Sequence, residues 1–145
     1  ATILDSHVAQ LERELKILRY DIAKLSEQGI GNQARQLFVI FPQRLQEWEF
    51  FAQACLFAFP ENHQVRIRME LALLETYTDL LSALDASVTD VTKSSVDRWK
   101  TMIVPFTDGL AAILDGQEGL TDDQRNRLEM IKNPSIEVLS PQPNP

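Results

Sequence analysis

Leu4, Val8, Leu11, Leu15, Leu18, Ile22 and Leu25 follow one another at intervals of 4-3-4-3-4-3. An α-helix turns every 3.6 residues, so this spacing draws all seven into one seam. A helix with such a seam must cover it, either within its own bundle or against another chain. Val8, Leu15 and Ile22 fall at heptad position a, and Leu4, Leu11, Leu18 and Leu25 at d. β-branched residues at a with leucine at d favour a parallel two-stranded pairing. A parallel partner would bring Glu14 at g near Arg19 at e of the other helix. Leu11, Leu15, Leu18 and Ile22 are therefore candidate partner-interface residues. Gly29-Ile30-Gly31-Asn32 stops the helix, with Gly29 in the C′ position that glycine favours.

Segment 33–59 has a different character. Six of the seven phenylalanines lie in it, together with Trp48, and between 37 and 59 only Arg44, Glu47 and Glu49 are charged. Leu37, Phe41, Leu45, Trp48, Ala52, Cys55 and Phe59 keep a helical stripe. Phe38, Phe50, Phe51, Leu56 and Phe57 spill outside that stripe. A helix apolar on several sides is central in the core or covered by another molecule. Trp48, Phe50, Phe51 and Phe57 join the candidate interface on this ground. Pro42 is expected to kink or restart the helix and to bias Phe41 away from the αR region. Phe59-Pro60 repeats the dipeptide and ends the segment.

The remaining chain also reads as helices. From Glu61 to Leu84, Val65, Met69, Ala72, Leu73, Thr76, Leu80 and Leu84 form one row, widened by Ile67, Leu71, Leu74 and Leu81 into a long, well-buried helix. Asp85–Ser95 is polar and reads as a loop. Val96, Trp99, Ile103, Phe106, Leu110 and Ile113 resume helical spacing, with a kink expected at Pro105. Thr121-Asp122-Asp123-Gln124 has the form of a capping box with acids in the first turn, opening a short helix over 122–132. No stretch shows period-2 alternation bounded by turns, and no repeat of 20–50 residues is evident. The expected fold is all-α: a helical bundle of four long helices plus one short C-terminal helix and an extended Pro-rich tail. The domain is placed at 1–133 and the extended or disordered tail at 134–145.

Composition narrows the function. The chain has 145 residues and a net charge of −7, which argues against the broad positive field of a nucleic-acid binder. The longest apolar runs, Leu37–Phe41 and Ala54–Phe59, fall far short of the about 20 residues of a membrane span. Ala1–Asp5 has neither the basic nor the apolar region of a secretory signal. The chain does not begin with Met, so the sequence leaves a removed leader open. Cys55 is the lone cysteine, so no disulfide forms within the chain, and a free thiol points to the cytoplasm.

Chemistry finds few footholds. Neither His7 nor His63 has a Glu three residues before it, as a di-metal carboxylate bundle requires. Cys55 sits on the apolar stripe with Trp48 and Ala52, which marks it as core. Ser87, Ser94 and Ser95 belong to loops and caps, and no phosphate-binding glycine motif is present. The expectation is no enzyme, no cofactor and no metal. From Lys100 to Ile131, Pro105-Phe106, Leu110, Ile113-Leu114, Gly119-Leu120-Thr121-Asp122-Asp123-Gln124-Arg125 and Leu128-Glu129-Met130-Ile131 together resemble the dimerisation hairpin of sensor histidine kinases. The resemblance covers a small part of the chain and implies a helical hairpin able to dimerise. Lys100 stands where that family carries its phosphorylated histidine, and Pro134 stops the return helix, so phosphotransfer is not implied.

The function expected is a non-enzymatic protein-protein interaction module, adaptor, regulatory or chaperone-like, which binds a protein partner or forms a homodimer through apolar helix faces. Two alternatives stay open. One is a small-molecule bundle holding a lipid, pigment or haem among Phe38, Phe41, Trp48, Phe51 and Phe57. The other is a structural subunit of a larger assembly.

Overall fold

The computed structural model describes residues 3–28, 34–59 and 63–133. Five α-helices follow in order: α1 (Ile3–Gln28), α2 (Phe41–Ala58), α3 (His63–Ala86), α4 (Lys93–Asp115) and α5 (Asp122–Lys132). The described residues contain no strand. This is the all-α bundle of four long helices and one short one. The glycine stop at Gly29, the Pro60 break and the tail 134–145 lie outside the described residues.

The heptad seam is closed inside the chain. Leu11, Leu15, Leu18 and Ile22 are at most 2% exposed, and α1 packs most extensively on α3. Arg68 donates two N–H groups to the Glu12 carboxylate, its Nε at 3.1 Å. Arg19 lies 3.6 Å from Glu75 and 2.7 Å from Asp79. Glu12 and Arg19 each meet a residue 56 positions further on, so α1 and α3 run parallel. The chain supplies its own parallel neighbour, and α2 returns antiparallel beside them. His7 meets Phe51 edge-on at 5.7 Å, while Asp21 accepts a hydrogen bond from Arg44 at 3.1 Å. Leu11, Leu15, Leu18 and Ile22 are thus core residues rather than a partner interface. Each removes roughly 1.5–3 kcal/mol worth of apolar surface from water, and exposing them would open the bundle.

The centre of the bundle is α3, a position the Phe-rich segment had also been a candidate for. Val65, Ile67, Met69, Leu71, Leu74, Leu80 and Leu84 spread round its circumference and are all buried. The other four helices all pack on it. Its two apolar rows explain this: together they span most of the helix circumference.

Proline is absorbed without a break. Residues Gln36–Ile40 form a turn of π-helix that runs straight into α2, and the Phe41 N–H donates to the Gln36 carbonyl five residues back. The wider turn accommodates the Pro42 ring and its missing N–H. Phe41 therefore keeps αR angles, φ −63° and ψ −47°, contrary to the usual bias before proline. Pro105 likewise lies inside α4 without ending it.

The polar stretch after α3 is a shorter loop than its composition suggests, because α4 already starts at Lys93. Thr92 closes it: its hydroxyl donates to the Ser87 carbonyl at 2.7 Å and accepts the Thr89 N–H at 2.8 Å. At α5 the expected capping box is present, with Thr121 accepting from the Gln124 N–H and Gln124 accepting from the Thr121 N–H. No helix of the described residues is long and apolar enough to cross a membrane.

Candidate functional site

Helix α2 buries one stripe, Phe41, Leu45, Ala52 and Cys55, against the bundle. Trp48 and Phe51 flank it, half-buried, with rings edge-on at 5.1 Å, and Phe51 in turn meets His7. Burial raises the Cys55 thiol above its ordinary range, which suits a core residue. The aromatic excess of this helix has nowhere to go but outward. Phe50 is 70% exposed and Phe57 90%. Residues 50–59 carry no charge, so the second half of α2 presents an uncharged outer face on which Phe50 and Phe57 stand out.

Beside that face lies a groove. Helices α2 and α4 both pack on α3, and between them run Pro42, Gln46 and Glu49 of α2, Tyr77 of α3, and Trp99, Met102, Ile103 and Phe106 of α4. Gln46 belongs to the groove wall. Phe50, Gln53 and Phe57 follow it at four, seven and eleven positions, so all four share one helix face. The exposed phenylalanines thus continue, toward the end of α2, the helix face that Gln46 brings to the groove, and are not themselves part of its lining. On the opposite wall Met102 is exposed, and so is Ile113 beyond it. An added Cβ at Gly109 would meet nothing within 4 Å, which leaves the backbone of α4 open to close approach.

The floor of the groove is polar at one point. The Tyr77 hydroxyl donates to Glu49 at 2.6 Å, and its ring packs edge-on against Phe106 at 5.0 Å. Burial, reinforced by the Glu49 carboxylate, pushes the phenol far above its usual range. Tyr77 therefore remains a neutral donor. Two turns earlier on the same face of α3 lies Glu70, a buried carboxylate whose Oε1 has no hydrogen-bond partner. Its other oxygen stands 3.6 Å from Arg66. Burial raises the Glu70 carboxyl above its ordinary value, and Arg66 offsets this only in part.

A second depression, between α1, α3 and α5, is lined by Glu12, Lys16, Arg19, Glu75, Thr76 and Arg127 among others. Arg127 donates to both oxygens of Glu75, at 2.6 and 3.0 Å, and Arg19 approaches the same carboxylate. Glu12, Arg19, Glu75 and Arg127 are all ion-paired, and the network holds α5 and α1 against α3. Among the described residues, no three His, Cys, Asp or Glu side chains could share a metal ion.

The residues singled out in the sequence therefore separate. Phe50 and Phe57 face solvent, Trp48 and Phe51 stand at the α1–α2 contact, and the four seam residues are core. Phe38, Phe41, Trp48, Phe51 and Phe57 do not converge on a cavity, because Phe41 is buried while Phe57 points away from the bundle. The α4 wall was missed as a surface. Val96, Ile103 and Leu110, with Thr107 and Leu114, form the buried stripe. Trp99, Phe106 and Ile113 repeat at heptad spacing one position off it, and seven-residue spacing alone does not tell an edge from a centre.

The fold and its surface define an all-α bundle with a groove of mixed polar and apolar lining along one side. Compared with protein-family models, curated proteins and solved structures, the chain matches none. Residues 100–131 span most of α4 and α5. Lys100 is ion-paired with Asp85 at 2.8 Å. Helix α5 packs on both α4 and α3: Arg125 and Lys132 meet Asp115 of α4, and Gln124 and Arg127 tie it to α3.

Proposed function

We propose that the chain is a non-enzymatic protein-protein interaction module, adaptor-like or regulatory, that engages its partner through the outer face of α2 and the adjoining α2–α4 groove. The observation that carries this reading is the exposure of Phe50 and Phe57 within the charge-free run 50–59, on a chain of which 24% is charged. Interface centres are depleted of charge and enriched in aromatic residues, and buried aromatics there supply most of the binding energy. Exposed apolar patches larger than a few hundred Å² mark such sites. Two phenylalanines exposed to this degree contribute on the order of 300 Å², and Gln46, Gln53, Met102 and Ile113 extend the surface. The groove, about 150 Å³, is smaller than the roughly 300–1,000 Å³ of small-molecule sites, so this face suits a protein ligand better than a lipid or haem; the depression between α1, α3 and α5 is larger, about 330 Å³, but is lined mainly by charged groups. A cytoplasmic setting fits the free thiol of Cys55.

Site-specific photo-crosslinking tests the reading. A benzophenone amino acid replaces Gln53 on the α2 face in one version and Asp108, exposed on the far side of α4, in another. Covalent adducts with protein, formed in the producing cells from position 53 and not from 108, are the expected result. Equal labelling from both positions, or none from 53, would overturn the assignment.

A further inference from the structure

We propose that the groove between α2 and α4 is a binding site for a methylated ammonium group. The site is independent of the exposed phenylalanines, which lie outside its lining. Three helices build it. Helix α4 contributes Trp99 and Phe106, two turns apart on one face, with Met102 between them. Helix α3 contributes Tyr77, whose ring stands 5.0 Å from that of Phe106 at 70°. Two rings at that angle form a corner, and the indole of Trp99 adds a third aromatic surface. Helix α2 contributes Glu49. Aromatic rings attract a cation electrostatically, and more strongly where water is thinned out, as it is in a groove.

Glu49 supplies the charge. One of its oxygens accepts the Tyr77 O–H at 2.6 Å and the other the Gln53 amide at 3.3 Å, so neutral donors hold the carboxylate in place. Among the described residues no Lys, Arg or His pairs with it. Arg44, the one base of α2, pairs with Asp21 instead. The groove thus sets a fixed negative charge beside three rings. A primary ammonium carries three N–H donors that each need an acceptor. Both oxygens of Glu49 are already engaged, and beyond Gln46 the walls offer rings, a thioether and aliphatic groups. A fully methylated nitrogen donates nothing, keeps its charge and lays methyl groups against the rings. The groove, about 150 Å³, takes such a head while the rest of the ligand stays outside, past the exposed side chains of Gln46 and Met102.

The test titrates the isotope-labelled full chain with choline chloride at constant ionic strength and reads NMR shifts. Saturable shifts are expected at the Trp99 indole N–H and at the amides of Glu49, Tyr77 and Met102, with the choline methyl signal moved upfield by the rings. The neutral analogue of choline, with carbon in place of nitrogen, has the same shape and binds about tenfold more weakly. Glu49→Gln, whose amide oxygen still accepts from Tyr77, and Trp99→Leu each weaken choline binding about tenfold, with unchanged helical circular dichroism. Glu47→Gln removes an exposed acid outside the groove and leaves binding as it was. No saturable shift up to tens of millimolar choline overturns the site. So does a neutral analogue that binds equally, or a Glu47→Gln loss as large as that of Glu49→Gln. An acetylated trimethyl-lysine amide is the second probe. Tighter binding than choline assigns the head to a protein side chain, and weaker binding to a free small molecule, each in keeping with the site. The unmethylated lysine amide binding as well as the trimethylated one overturns the ligand class. Every probe is a small cation, so failure here leaves the crosslinking from position 53, and the interaction reading it tests, unaffected.

Discussion

Replacing Glu70 by methionine should stabilise the protein, and the gain should depend on pH. Glu70 is buried on α3, one carboxylate oxygen lacks a hydrogen-bond partner, and the other has only Arg66 at 3.6 Å. An unsatisfied buried polar atom costs about 1–3 kcal/mol. Methionine has similar reach, good helix propensity and no polar oxygen to satisfy. Arg66 is one-third exposed and stays hydrated when its partner is gone. The expected gain at pH 7 is about 1–2 kcal/mol, or roughly 2–6 °C in melting temperature for a chain of this size. The folded-state carboxyl is raised above its ordinary value of 4.5, so between the unfolded and folded values the native state binds more protons. Stability contributed by this group therefore falls as pH rises through that window. The penalty is fully present above the folded value and fades below the unfolded one. Thermal melts of Glu70→Met and wild type from pH 4 to 8 should diverge as pH rises. A Met variant less stable than wild type at pH 7, or a difference that does not change with pH, would refute the reasoning.

Three further outcomes follow from the packing. Leu18→Ala, at a position with no exposure, should cost about 2–5 kcal/mol in urea unfolding, and Leu15→Asp with Leu18→Asp should abolish helical circular dichroism altogether. An association defect with the fold preserved would instead put the seam back at an interface. Glu75→Ala leaves Arg19 and Arg127 without their shared carboxylate; because both arginines are more than one-third exposed, the expected loss is only about 1 kcal/mol, and a double-mutant cycle with Arg127→Ala should show coupling. Thr121→Ala removes the cap of α5 at a cost of about 1 kcal/mol, seen by hydrogen exchange as faster amides at Asp123 and Gln124 while those of α3 are unaffected.

The fold was largely legible because its signals are local. The 3.6-residue periodicity located the four long helices, and the Thr121–Gln124 box marked the start of α5. Two features resist such reading. Whether the seam of α1 is covered from within or without depends on where α3 lies in space, and a heptad pattern is the same in both cases. The π-turn before Pro42 is a response of the backbone to proline, set by packing rather than by the dipeptide. For the candidate site, the exposed phenylalanines could be suspected from their excess over one stripe. The α4 wall could not, since Trp99, Phe106 and Ile113 share the period of the buried residues beside them.

The parallel pairing of α1 with α3 sets the order of events during synthesis. Helix α1 leaves the ribosome before α3, yet the residues of α3 that close its seam lie 56 positions downstream. At translation rates of about 5–20 residues per second, the seven apolar side chains of the seam, with only α2 to pack against, wait for roughly 3–11 seconds before α3 can meet them. The α3–α4 hairpin, joined by a short loop, closes locally and at a lower loop-closure cost. The nascent chain is accordingly most prone to aggregate while α3 is still within the exit tunnel, and arrested chains ending near Ala58 should be stickier than chains extended well past Asp115.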